Sequence, residues 1–213
     1  MTWQRARTDE QIEQRINEIV EATERLFEDH AYDEITFVMV AREAKFTRSN
    51  LYKYFRTTEE VLLEILKRDL TNWRLDVEKT FEGKMPPVKD FSFEWMEGLK
   101  RHPRVMRLFA IMHTTIEKNS TLEKLIEFKQ HAMDEWGHVG AVVSKMFKFR
   151  DEASILQFVY AQLAFVIGAS PLWEMTENQI KAMRAVGLMT DHDVMERMFA
   201  ETIASILQGL IVD

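Results

Sequence analysis

The ten residues FTRSNLYKYF, Phe46 to Phe55, set two basic side chains and two tyrosines around a serine, an asparagine and a single leucine. They stand in an acidic chain, with a formal net charge of -7, yet the stretch from Thr36 to Arg56 carries Arg42, Lys45, Arg48, Lys53 and Arg56 against Glu43 alone. Phosphates respond to such a local field, because exposed charges farther than about a Debye length away are screened. Thr47 is placed to cap a short helix running to about Phe55, and Thr36 to cap another running to about Ala44. Leu51 and Phe55, at i and i+4, face inward and anchor the second helix on Leu26, Ile35 and Val40. Two short helices joined by a tight turn, the second bearing Arg48, Ser49, Asn50, Tyr52 and Lys53, have the form of a helix-turn-helix reader. In that arrangement Arg48 pairs with guanine O6 and N7, Asn50 pairs with adenine N6 and N7, and Tyr52 and Lys53 reach phosphate oxygens. Spacing and charge alone fit a second reading equally well, an amphipathic helix with a solvated polar face.

Upstream, Ile12, Ile16, Ile19, Val20, Leu26 and Phe27 recur at helical spacing and predict a helix from Asp9 to Asp29. Downstream, Thr57-Thr58-Glu59-Glu60 has the capping-box form and opens a helix to about Phe81, stopped by Gly83 and the pair Pro86-Pro87. Further helices are expected at Phe91 to Lys100, Pro103 to Glu117, Leu122 to Phe147, Glu152 to Leu172 and Asp193 to Leu210, with a second capping box at Ser120 to Glu123. No stretch alternates with period two, so strands are not needed. The composition agrees: 46% of the 213 residues are apolar, and only seven are glycine and four proline. The chain contains no cysteine, which excludes disulfides, thiolate catalysis and zinc-thiolate sites and fits a reducing compartment. MTWQRARTDEQ lacks the short apolar run of a secretion leader. Ala153 to Trp173 is uncharged and about as long as a membrane span, but Gln157, Tyr160, Gln162 and Pro171 favour a helix packed on its own domain and on a second chain.

The helix from Asp9, the Tyr-x-x-Ile-Thr turn at Tyr32 to Thr36, Val40-Ala41-Arg42-Glu43-Ala44, Leu51-Tyr52-Lys53-Tyr54-Phe55 and Thr57-Thr58-Glu59-Glu60-Val61-Leu62-Leu63 resemble, in order and spacing, the DNA-binding region of TetR-type transcriptional regulators. The likeness covers about Glu10 to Leu66. It implies an all-α homodimer with a three-helix DNA-binding domain at 1–56 and a helical-bundle domain for effector binding and dimerisation at 57–213. By position it implies Thr36 near a phosphate, Arg48, Ser49 and Asn50 towards bases, Tyr52, Lys53 and Tyr54 facing bases or backbone, and Thr58 near a phosphate. Two positions depart from the family pattern. Lys45 stands at the usual turn glycine, which predicts either a left-handed residue or an altered turn. Thr58 stands where a lysine is common, which shifts that phosphate contact to Arg56 or to the helix N-terminus.

The remainder is rich in large soft side chains, most of which are core. Phe109, Met112, His113, Met133, Trp136 and Phe165, drawn from three predicted helices, are the expected walls of an effector cavity. His131, Glu135 and His138, at i, i+4 and i+7, share a helix face that could hold a divalent ion or could simply be a charge-paired surface; no metal or other cofactor is expected. No nucleophile with a base, no phosphate-cradling glycine loop and no paired acids stand out. Gly168-Ala169-Ser170 lies within a predicted helix and is no nucleophile elbow. The expected function is therefore that of a cytoplasmic repressor, not an enzyme or a membrane protein, released from a palindromic double-stranded operator by a small apolar effector. The alternatives are a DNA-binding protein that works through a protein partner without an effector, and a small helical enzyme.

Overall fold

A computed structural model of the chain describes residues 9–173, 175–188 and 191–212; the leader reading of residues 1–8 lies outside them. The helices are α1 (Asp9–Asp29), α2 (Phe37–Glu43), α3 (Arg48–Leu51), α4 (Thr58–Phe81), α5 (Val88–Lys100), α6 (Pro103–Ala110), α7 (Glu117–Asn119), α8 (Leu122–Met146), α9 (Glu152–Ala169), α10 (Glu177–Ala185) and α11 (His192–Gln208). A π-helical turn, Met112–Ile116, joins α6 to α7, and a 3₁₀ turn, Ser170–Leu172, extends α9. Among the described residues the only β pairing is an isolated bridge between Phe149 and Ile211.

The chain forms two compact units. One holds the residues up to Arg68 together with Met112–Lys129, the other Asp69–Ile111 together with Gln130 onward. In the first, Ile19, Val20, Val40, Leu51, Phe55, Ile65 and Leu66 are essentially fully buried. The second is built around aromatic rings. Trp95 lies 5.2 Å from Phe91, 5.6 Å from Trp73 and 5.7 Å from Phe158 between ring centres. Its indole nitrogen donates to Gln162 Oε1 at 3.1 Å, which explains a buried glutamine in the otherwise apolar α9.

Several expected elements change in detail. The helix opened by Thr47 is regular only to Leu51, because Lys53 N and Tyr54 N donate to the carbonyls three residues back, Asn50 and Leu51, and tighten the chain into turns. The expected helix over Pro103 to Glu117 breaks at Ile111, where a run of β-branched residues, Thr114, Thr115 and Ile116, crowds the preceding turn and the π turn takes over. Ser120 does not form its capping box; its hydroxyl donates back to Ile116 O at 2.8 Å. A reciprocal box does form at Thr176 and Gln179, opening α10, a helix with no buried residue to mark it in the sequence.

Lys45 is left-handed, with φ 58. It follows Ala44, the C-cap of α2, and the backbone makes the two bonds of a Schellman motif: Phe46 N to Ala41 O at 2.8 Å and Lys45 N to Arg42 O at 3.1 Å. That position favours glycine, since a Cβ costs about 1–2 kcal/mol in this conformation. Lys45→Gly is expected to stabilise the protein by about 0.5–1 kcal/mol, after glycine's greater unfolded-state entropy is subtracted, as a higher urea midpoint at unchanged slope.

Within the second unit, α4 and α8 are joined by a buried polar cluster. Glu135 accepts from Thr71 Oγ1 at 2.6 Å and from Arg74 Nε at 2.8 Å, and Thr71 also meets His131 Nε2 at 3.1 Å. Burial pushes the Glu135 carboxyl up, but the bonds from Thr71 and Arg74 and the charges of Arg74 and His131 outweigh it and hold the group below the usual carboxylate range. His138, the third member of the suspected metal face, is exposed and donates Nδ1–H to Asp134 O at 2.8 Å. Among the described residues no group of three metal-ligating side chains converges. Glu135 is thus engaged in an ion pair with Arg74, with His131 beside it, while His138 turns to the Asp134 carbonyl. Because the folded-state pKa of Glu135 is depressed, its contribution is present above the unfolded value of about 4.3 and is lost as pH falls through the folded value. Glu135→Ala, which takes one acidic partner from Arg74 but leaves it Glu78 at 2.8 Å, and which removes the acceptor of Thr71, is expected to cost about 1–3 kcal/mol at pH 7 and to flatten the acid limb of a stability-versus-pH curve.

Candidate nucleic-acid interface

The interface lies wholly in the first unit and is set by two threonine caps. Thr36 Oγ1 accepts from Met39 N at 3.3 Å and starts α2; Thr47 Oγ1 accepts from Asn50 N at 3.2 Å and starts α3. Leu51 and Phe55 are buried to 0% and 1% exposure, which fixes the roll of α3 and leaves Arg48, Ser49, Tyr52 and Lys53 exposed and Asn50 half-buried.

The polar face is internally braced. Arg48 Nη2 donates to Tyr52 OH at 3.1 Å and its guanidinium lies 5.6 Å from the centre of the Tyr52 ring. Lys53 Nζ donates to Asn50 Oδ1 at 2.5 Å. Phe37 packs on Tyr52 with ring centres 4.9 Å apart, so a residue of α2 orients a tyrosine of α3. Nothing in the sequence marked Phe37 for that task. Tyr54 is half-buried and its ring meets Phe46 nearly edge-on, at 6.1 Å and 81°, which makes it an anchor beneath the face. Thr36 is exposed at the start of α2. Glu43, the one acid in the basic stretch, is bound by Arg25 of α1 at 2.8 Å, which offsets its charge.

Thr58 is the first residue of α4 and is half-buried, with Thr57 before it capping Glu60 N at 3.2 Å. Only half of the expected box forms. The Glu60 carboxylate, 2% exposed, reaches past Thr57 to accept from Arg56 N at 2.6 Å and from Thr121 N at 3.1 Å. Thr57 Oγ1 donates to Asn119 O at 3.0 Å. The start of α4 is thus gripped by the chain at 119–121, sixty residues away, a partnership that no local pattern could disclose.

Of the expected effector walls, Phe109 is buried and lines an apolar cavity in the second unit. Trp136 lies 6.2 Å from the Phe109 ring and 5.5 Å from Tyr160, and Phe165 lies 5.6 Å from Phe199. Met133 is 60% exposed. Met112, which is buried, and His113, which is exposed and bonded to Glu117 at 2.9 Å, belong to the first unit.

Residues 19–65 match the family described as bacterial regulatory proteins, tetR family, and residues 67–213 match the one described as tetracyclin repressor-like, C-terminal domain. The HTH-type transcriptional regulator HbdR of Aromatoleum sp. (strain CIB) is 31% identical over 78 residues, which are 37% of this chain and 34% of that protein. The match thus spans about a third of HbdR's length. Among solved structures, the fold is similar to Thermus thermophilus FadR in complex with lauroyl-CoA, at 13% identity and a TM-score of 0.61, covering 93% of this chain and 96% of that one. It is also similar to SmeT, the repressor of the Stenotrophomonas maltophilia multidrug efflux pump SmeDEF, at 16% identity and a TM-score of 0.51, covering 93% and 91%.

Proposed function

This chain belongs to the TetR family of bacterial transcriptional regulators, and from that premise we propose that it is a dimeric repressor released from a palindromic operator by a small apolar effector. The observation that carries the reading is the doubly capped pair α2 and α3. It presents Arg48, Ser49, Asn50 and Lys53 on a face whose buried side is closed by Leu51 and Phe55. Arg48, Ser49 and Asn50 read base edges; Thr36, Lys53 and the N-terminus of α4 at Thr58 hold phosphates and set register.

Two chains are needed to read a palindrome. The surface that supports pairing is the exposed side of α9 and α11, where Leu156 (55% exposed), Tyr160 (50%) and Met198 (48%) stand clear of the chain's own core. The segment Glu152–Leu172 is long and apolar enough to cross a membrane, with a mean hydropathy of 1.6, a property shared by helices buried between subunits of soluble bundles. On this reading the protein works in the cytoplasm, beside the chromosome.

Release follows from connectivity. α6 carries the cavity residues Val105, Met106 and Phe109 and leads through the π turn to Asn119 and Thr121, which grip Thr57 and Glu60 at the head of α4. An effector that prefers a shifted α6 moves that grip and the spacing of the two reading heads, and lowers operator affinity by its differential binding to the two states. FadR was solved with lauroyl-CoA, and the apolar cavity of the second unit here supports a reading in which the effector is apolar. Light scattering of the protein on a bound duplex tests the assembly: two chains per site are expected, and one chain per site overturns the dimeric reading.

A further inference from the structure

The first turn of α2 carries a hydrocarbon side chain that the core of its unit does not take up. Val38 is 56% exposed, although Val40 and Ala41 of the same helix are buried to 0% and 4% exposure. Val38 and Arg42, at i and i+4, lie together on one flank of α2. Glu43, turned about 140° from Val38 around the axis, is engaged by Arg25 of α1 on the other flank. Arg42 is exposed, and among the described residues no hydrogen bond or ion pair occupies its guanidinium.

Val38 also adjoins the reading helix. Phe37, the residue before it, packs on the Tyr52 ring with centres 4.9 Å apart, and Tyr52 is itself 47% exposed. Around this apolar surface stand the exposed cations Arg42, Arg48 and Lys53. A lone exposed valine is ordinary on a protein surface, but one set among cations on a face that closes on a duplex loses its water together with whatever lies opposite. In the major groove the base edges present donors and acceptors, with one exception, the C5 methyl of thymine. A donor or acceptor set against the two valine methyls would give up its water for no new bond. A thymine methyl gives up nothing and gains the burial. Valine is also stiff at χ1 in a helix, so its methyls are held in place before contact and little freedom is lost on binding.

We infer that Val38 is a specificity-determining residue whose methyls contact the C5 methyl of one thymine in each half-site, beside the base pairs read from α3. This contact rests on the DNA-binding reading above and deepens it, adding to the hydrogen-bonded bases one that is recognised by its hydrocarbon alone.

The test uses the full chain and the duplex it selects from a random pool. Each thymine of a half-site is replaced in turn by deoxyuridine, which removes the C5 methyl and leaves every hydrogen-bonding group of the base in place. With the wild type, one such replacement is expected to weaken binding about fourfold, the worth of burying one group of that size. Val38→Ala is expected to bind the all-thymine duplex about fourfold more weakly and to be indifferent to uracil at that same position. Lys53→Ala, which weakens binding on all sequences, is expected to remain sensitive to it. A wild type indifferent to uracil at every thymine overturns the proposal and leaves the DNA-binding reading standing, and this scan needs no variant. A thymine whose methyl matters as much to Val38→Ala as to the wild type also overturns it, because another side chain then meets that methyl. Failure of the wild type to select any duplex overturns the proposal together with the DNA-binding reading.

Discussion

Phe55→Ala is expected to abolish binding to every DNA sequence while leaving most of the helical signal in place. Phe55 is 1% exposed and sits just past α3 in a unit whose other fully buried members include Val40 and Leu51. Truncating a buried phenylalanine costs about 3–5 kcal/mol, the lost transfer energy plus the cavity left behind. A small unit of ordinary stability, about 5–15 kcal/mol, loses much of its margin to such a change. α3 is only four residues long and has no intrinsic tendency to persist without tertiary support, so its polar face disperses first. Urea unfolding followed by circular dichroism, together with a mobility-shift assay, measures both halves of the prediction. Retention of sequence-specific binding would show that α3 is held by something other than its buried side.

The second large effect separates reading from holding. Arg48→Ala is expected to weaken operator binding by about 1–3 kcal/mol and to relax preference at one base pair per half-site. Lys53→Ala is expected to weaken binding on all sequences and to lower the salt slope by about one unit. The structure adds a refinement. Lys53 holds Asn50 Oδ1, and Asn50 needs that oxygen to face an adenine amine, so the Lys53 variant also changes preference at the base pair read by Asn50. Arg48 is braced on Tyr52, and Tyr52→Phe, which removes the hydroxyl but keeps the ring on Phe37, is the natural control. Selection of bound duplexes at two salt concentrations distinguishes these patterns. Equal losses on every sequence for Arg48→Ala and Lys53→Ala would contradict the assignment of roles.

Much of the reading head was legible because its signals are local. The amphipathic period from Ile12 onward and the acids at its start define α1 at Asp9–Asp29. Hydroxyls at Thr36 and Thr47 define where α2 and α3 begin, and of the two turns that Lys45 at a glycine position allowed, left-handed or altered, the left-handed one is found. What could not be read depends on distant partners or on geometry finer than a period. Glu60 has the place of a capping-box acid, but Thr121 captures one of its oxygens. The face of Glu135 could be read either as an ion site or as a charge-paired surface, and the partners that pair it, Thr71 and Arg74, lie more than sixty residues away. The break after Ala110 reflects crowding by β-branched residues that a spacing rule does not count, and α10 buries nothing, so no apolar stripe betrayed it. The expected cavity walls were large soft side chains from three predicted helices; the space found shares only Phe109 with them, and two of its other walls, Leu70 and Trp73, come from α4, a helix that supplied none of the expected ones.

The measurement that bears most directly on the central claim is selection from a pool of random duplexes by the purified full chain at near-physiological salt, with sequencing of the bound fraction. Enrichment of an inverted repeat, its half-sites about one helical turn or a multiple of it apart, is the predicted result. Recovery of no sequence preference at any salt concentration would contradict the account.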